Sequence, residues 1–318
     1  MAFQWMRRVL FALAPAALLA LGACGSGSIE SQLVPTRLVV FGDGFADQGQ
    51  AAGKRYTVND TSKTWPELIA ADYGVTTLKA SSAGGTNYAT GNARVTLEPD
   101  AAGSTATLTI KEQVDAFLAS STPGATDLVI LQGGLSDIIV QARAVIAGTQ
   151  TRDQMLANVR QAGLDYADQA RRLKAAGATH IAILGAYDLA RTPWGISTGQ
   201  QQLLTDATTA FNNAVLVSLV NEGQTMLYID TALLFNLMTG NPASYALVNV
   251  GNPACTSVDP GPGIGIGTGQ VNSLLCTTAT IASGVDYATY LWADPVYPTP
   301  TGHSRFASFM FTRVHDRF

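Results

Sequence analysis

Four short apolar runs do most to limit the fold. Arg37–Phe41 (RLVVF), Asp127–Leu131 (DLVIL), His180–Leu184 (HIAIL) and Thr225–Ile229 (TMLYI) are each five residues long. They are too short for helices and apolar without strict alternation, the pattern of strands buried on both faces. Between them lie Lys111–Ala119, Gln200–Val220 and Arg152–Ala175, the last with Met155, Val159, Leu164, Ala167 and Leu173 at roughly helical spacing. Strands alternating with helices predict an α/β fold, a three-layer α/β/α sandwich around a central parallel sheet. Sites in such sheets form beyond the carboxyl ends of the strands. Phe41-Gly42-Asp43-Gly44 and Gln132-Gly133-Gly134 both stand there.

Composition excludes some functions. The chain of 318 residues is 47% hydrophobic and 13% charged, as expected of a secreted globular protein. With a net charge of −4 and no long basic run, nucleic acid is not an expected partner. No metal and no cofactor is expected. Asp43 and Asp47 read as braces of their loop rather than as paired acid–base carboxylates.

The N-terminus reads as a targeting segment. Arg7 and Arg8 precede an apolar stretch, Val9 to Leu21, that is too short to favour a spanning helix. It ends in Leu21-Gly22-Ala23-Cys24, which looks like a bacterial lipobox. The expected organisation is a lipoprotein signal peptide over 1–23, a tether over 24–35 that opens with small polar residues, and one domain over 36–318. Cys24 would carry the lipid and anchor the chain to a membrane of the bacterial envelope. Gly25 after the cysteine favours the outer membrane. Ordinary signal cleavage with an incidental Cys24 is the alternative.

Cys255 and Cys276 remain, most simply as a disulfide in an oxidising compartment. Two cysteines with no histidine nearby do not make a structural zinc site. Gly261 to Gly269 (GPGIGIGTG) lacks the preceding strand and following helix of a dinucleotide fingerprint. It reads as a flexible surface loop.

Five blocks in order resemble the GDSL (SGNH) family of ester hydrolases. They are Phe41-Gly42-Asp43-Gly44-Phe45-Ala46-Asp47-Gln48-Gly49; Gly85-Thr86-Asn87-Tyr88-Ala89-Thr90-Gly91-Asn92-Ala93-Arg94; Gly134-Leu135-Ser136-Asp137; Asp188-Leu189-Ala190-Arg191-Thr192-Pro193; and Asp294-Pro295-Val296-Tyr297-Pro298-Thr299 followed by His303. The resemblance implies a flavodoxin-like α/β/α fold and hydrolysis of acyl esters, lipids or acylated glycans. In the family a block-one serine attacks, and a block-five histidine oriented by an aspartate takes its proton. An oxyanion hole comes from blocks one, two and three.

The chain departs from that pattern where the chemistry lies. The nucleophile position is Gly44 and the base position is Tyr297, a phenol with an ordinary pKa near 10. The oxyanion-hole positions are Gly44, Gly91, Asn92 and Ser136, with Ser136 where the family has asparagine and Asn92 where it has glycine. Asp294 is retained with no histidine to orient. Losing a nucleophile or base in a triad costs about 10⁶ in kcat. The resemblance therefore implies a catalytically deficient homologue that keeps an acyl- or sugar-ester-binding cleft. Two alternatives stand beside it. One is an active hydrolase rewired through Ser197, in a Gly195-Ile196-Ser197-Thr198-Gly199 elbow-like motif, or through Ser136, with His303 as base. The other is a structural envelope protein whose cleft is filled by the Tyr297 ring.

Overall fold

The computed structural model describes residues 33–318. The expected signal peptide, the lipidation at Cys24 and the tether up to residue 32 lie outside the described residues.

Strands β1 (Arg37–Phe41), β2 (Asp127–Leu131), β3 (Ile181–Leu184) and β4 (Met226–Ile229) form a parallel sheet in the order β1-β2-β3-β4. The register aligns Phe41 with Leu131 and Leu131 with Ile183, so the carboxyl ends of the first three strands lie level. A short extended stretch flanks β1 on its other side: the Val40 N–H donates to Thr86 O, and the Tyr88 N–H to Val40 O. β2 and β3 are buried along their whole length, which requires cover on both faces.

The cover comes from two groups of helices. On one side α4 (Arg152–Ala175) packs against both α2 (Ile110–Ser120) and α6 (Gln201–Ser218), with α3 (Leu135–Ile146) beside α4 and α6. On the other, α1 (Trp65–Asp72) packs against α8 (Pro300–Arg317), which also touches β4. The result is the α/β/α sandwich expected from the alternation of strands and helices. Helix starts are set locally. Thr109 and Glu112 form a reciprocal capping box at α2, and Thr151 and Gln154 form another at α4.

The chain between β4 and α8 builds a second, smaller layer. After α7 (Thr231–Gly240), β5 (Asn249–Pro253) pairs with β8 (Tyr290–Trp292). Between them β6 (Val258–Asp259) and β7 (Gln270–Val271) form a small antiparallel hairpin. Cys255 and Cys276 are joined by a disulfide beside this hairpin.

The hairpin corrects the reading of Gly261–Gly269 as a flexible surface loop. The loop is docked. Asn92 Nδ2 donates to Gly263 O at 2.9 Å, and Arg143 Nη1 donates to Gly265 O at 2.6 Å. Ile264 is buried, and a Cβ on Gly265 would lie 2.6 Å from the Cβ of Ala101. The glycines serve close approach and positive φ at Gly263, Gly265, Gly267 and Gly269, rather than mobility.

Candidate functional site

The loop after β1 is held from several sides. Gln113 on α2 bonds Gly42 twice, its Oε1 accepting the Gly42 N–H at 2.8 Å and its Nε2 donating to Gly42 O at 2.9 Å. Gln132 Oε1 accepts the Asp43 N–H. Asp47 accepts from the N–H groups of Gly49 and Gln50 on Oδ1 and of Gly91 on Oδ2. Asn87 Nδ2 donates to Ala46 O at 2.8 Å. The bracing role expected of Asp47 is what its hydrogen bonds describe. At Asp43, Oδ1 accepts the Phe45 N–H at 3.1 Å.

Blocks two and three are locked together by a buried ion pair. Arg94 Nε meets Asp137 Oδ1 at 3.2 Å, and Asp137 Oδ2 accepts the Val95 N–H at 2.9 Å. Gly134 enters α3 with φ of 97°, and a Cβ there would lie 2.4 Å from the Phe211 ring. Glycine is required at that corner for both reasons. It sets Ser136 in the first turn of α3, fully buried.

The centre itself is closed. A Cβ placed on Gly44 would lie 2.7 Å from Tyr297 Oη and 2.8 Å from its Cζ. The phenol ring occupies the space that a side chain at position 44 would need. Tyr297 is wholly buried, with its ring 4.9 Å from that of Tyr56. Tyr56 in turn lies over Gly91, where a Cβ would be 1.9 Å from Tyr56 Oη. The sequence reading missed Tyr56. It sits in a loop with no motif, and only the folded chain brings it to Tyr297.

The positions that the resemblance would assign to an oxyanion hole are partly engaged elsewhere. The Gly91 N–H is already given to Asp47. Asn92 adopts the left-handed conformation with φ of 64°, which asparagine tolerates better than most residues. Its Nδ2 is spent on the docked glycine loop. Buried atoms at the block positions that have no hydrogen-bond partner among the described residues include Asn92 Oδ1, Ser136 Oγ and Tyr297 Oη.

Asp294 presents the opposite case. Its Oδ1 accepts the N–H groups of Val296 at 2.7 Å and Tyr297 at 2.6 Å. Its Oδ2 accepts the Ser273 N–H at 3.0 Å and the Ser273 hydroxyl. The carboxylate is engaged in holding its own loop. Burial pushes the Asp294 carboxyl up to about 6 despite these four donors. Burial likewise raises Asp43 to about 7 and Asp47 to about 6, and the Tyr297 phenol goes well above its ordinary value.

The structure does not bring the proposed rescue residues together. Ser197 is exposed on α5 (Pro193–Thr198), which does not leave a strand directly, and its hydroxyl donates to Trp194 O at 3.0 Å. His303 is buried on α8, where its Nδ1 accepts the Trp65 N–H and its ring lies on Phe45. Burial lowers it to about 3, so the ring is neutral and a poor base at neutral pH. Ser136, Ser197 and His303 share no hydrogen bond with one another. No group of His, Cys, Asp and Glu suited to a metal ion occurs among the described residues.

No protein-family model matches the chain, and no curated protein matches it. Among solved structures it is similar to a member of the lipolytic protein G-D-S-L family from Veillonella parvula DSM 2008, with a TM-score of 0.44 and 11% identity. The match covers 87% of this chain and 96% of that one. So loose a likeness bears on neither activity nor mechanism.

Proposed function

We propose that this chain is a catalytically deficient homologue of the GDSL ester hydrolases, held at the bacterial envelope by a lipid on Cys24 and probing acyl or acylated-glycan ligands without cleaving them. The blocks carry the kinship, and one geometric observation carries the loss of chemistry: the Tyr297 ring lies where a nucleophile on residue 44 would have to be. The base position is a buried phenol, the retained Asp294 is bonded to its own loop, and His303 is neutral and turned to Trp65.

The Tyr56–Tyr297 contact favours a filled reaction centre over an open one. Ligand binding is then displaced from that centre, or lost to a purely structural role.

Hydrolysis of short- and long-chain nitrophenyl esters tests the reading, together with covalent labelling by a fluorophosphonate. The purified protein is expected to show neither. The triple variant Gly44→Ser, Ser136→Asn, Tyr297→His is expected to show both. Ester turnover with serine labelling in the unaltered protein overturns the proposal.

A further inference from the structure

A groove of about 650 Å³ falls within the ~300–1,000 Å³ range of small-molecule sites. None of Gly44, Ser136, Asp294 or Tyr297 lines it. Its walls come from four separate segments. Val140 and Ala144 belong to α3, Trp194 to α5, Pro262 and Ile266 to the docked glycine loop, and Ala102 to the turn after block two. The lining is mainly apolar.

Arg143 also lines the groove. Its Nη1 donates to Gly265 O at 2.6 Å, which ties the guanidinium to the docked loop. Its Nε and Nη2 have no partner among the described residues, and no carboxylate pairs with it. Those two donors form the edge that takes a carboxylate in two parallel hydrogen bonds. The one acid in the wall, Asp100, is turned into its own turn. It accepts from the N–H groups of Ala102 at 2.9 Å and Ser104 at 2.8 Å, and from the Thr107 hydroxyl at 2.6 Å. The groove thus combines apolar walls with a single cation that no carboxylate neutralises.

We propose that this groove binds a fatty acid, its chain along Val140, Trp194, Pro262 and Ile266 and its carboxylate on Arg143. An exposed guanidinium contributes little alone, so the walls supply most of the affinity and Arg143 selects the headgroup. The docked loop gains a purpose: it forms one wall and orients the arginine. Binding here and the absence of ester turnover are separable properties, read by different measurements.

Isothermal titration of the purified protein with dodecanoate, and with dodecanol as the neutral control, tests the assignment. Dodecanoate is expected to bind roughly tenfold more tightly, the order of one charge-assisted hydrogen bond. Arg143→Gln is expected to bring dodecanoate down to the level of dodecanol. Ala144→Trp is expected to abolish binding of both while the circular dichroism spectrum and thermal midpoint stay unchanged. Absence of dodecanoate binding, equal binding of the two ligands, or dodecanoate binding unchanged in either folded variant overturns the proposal. Should Arg143→Gln disturb the loop, Ala144→Trp still decides, since it leaves the guanidinium in place.

Discussion

The loop after β1 and the centre it encloses are built to different standards. Around the loop, Gln113, Gln132, Asp47 and Asn87 each meet a backbone group, and Arg94 and Asp137 tie the next two blocks together. At the centre, Asn92 Oδ1, Ser136 Oγ and Tyr297 Oη have no hydrogen-bond partner among the described residues. Buried polar atoms are seldom left this way in folded proteins. The difference separates two demands on one motif. The bracing residues are required for the sheet to end in an ordered loop, whatever the loop does. The unpartnered atoms at the centre add nothing to that bracing.

The largest expected effect lies in the frame. Asp137→Ala leaves the Arg94 guanidinium buried without its partner and frees the Val95 N–H. Removing one member of a buried pair costs about 3–5 kcal/mol, and urea unfolding should show a loss of that size. A loss under about 1 kcal/mol would erase the contrast between frame and centre. Next comes Gly44→Ser alone. A side chain forced against Tyr297 costs about 1–3 kcal/mol as overpacking, and no activity should appear. Adding Tyr297→His should recover most of that stability, a coupling that a double-mutant cycle measures.

The buried carboxyls set the pH response. Asp43 at about 7 and Asp47 and Asp294 at about 6 all stand above the ordinary 3.8. The folded chain therefore holds more protons than the unfolded chain between roughly pH 4 and 7, and stability falls as pH rises through that window. His303, lowered to about 3, acts the opposite way below its ordinary 6.5. Three carboxyls against one imidazole make the thermal midpoint higher at pH 5 than at pH 8. Asp43→Asn keeps the acceptor for Phe45 and should flatten that slope. A midpoint that rises toward pH 8 contradicts this account. The smallest effect is at Tyr297→Phe, which removes a hydroxyl with no partner and should be neutral or stabilising by up to about 1 kcal/mol. Destabilisation there would mean that the hydroxyl is bonded after all.

Much of the frame was legible in the residues. All four strands fall within one residue of their apolar runs, because the interior of a parallel strand covered on both faces is filled by apolar side chains. The long α4 matches Arg152–Ala175, since its periodicity runs for many turns. The glycine loop was misread, because glycine serves close packing as readily as freedom, and only Asn92, Arg143 and Ala101 reveal which. At the centre, the identities at Gly44, Ser136 and Tyr297 were plain. The closure was not, because Tyr56 and Ser273 reach the site through contacts distant in the chain, with no local spacing to mark them.

The stitch between Cys255 and Cys276 has a redox consequence. Ser273, three residues before Cys276, supplies two of the four donors on Asp294. The sheet and its first loop need no oxidation to assemble, whereas the clamp on Asp294 sits inside a segment that is tied only once the thiols have been oxidised. The two halves of the motif thus differ in their dependence on oxidation, the second being tied only while the Cys255–Cys276 disulfide is intact. Amide exchange at Ser273 and Tyr297 should accelerate under reductant while the N–H groups of β2 stay protected.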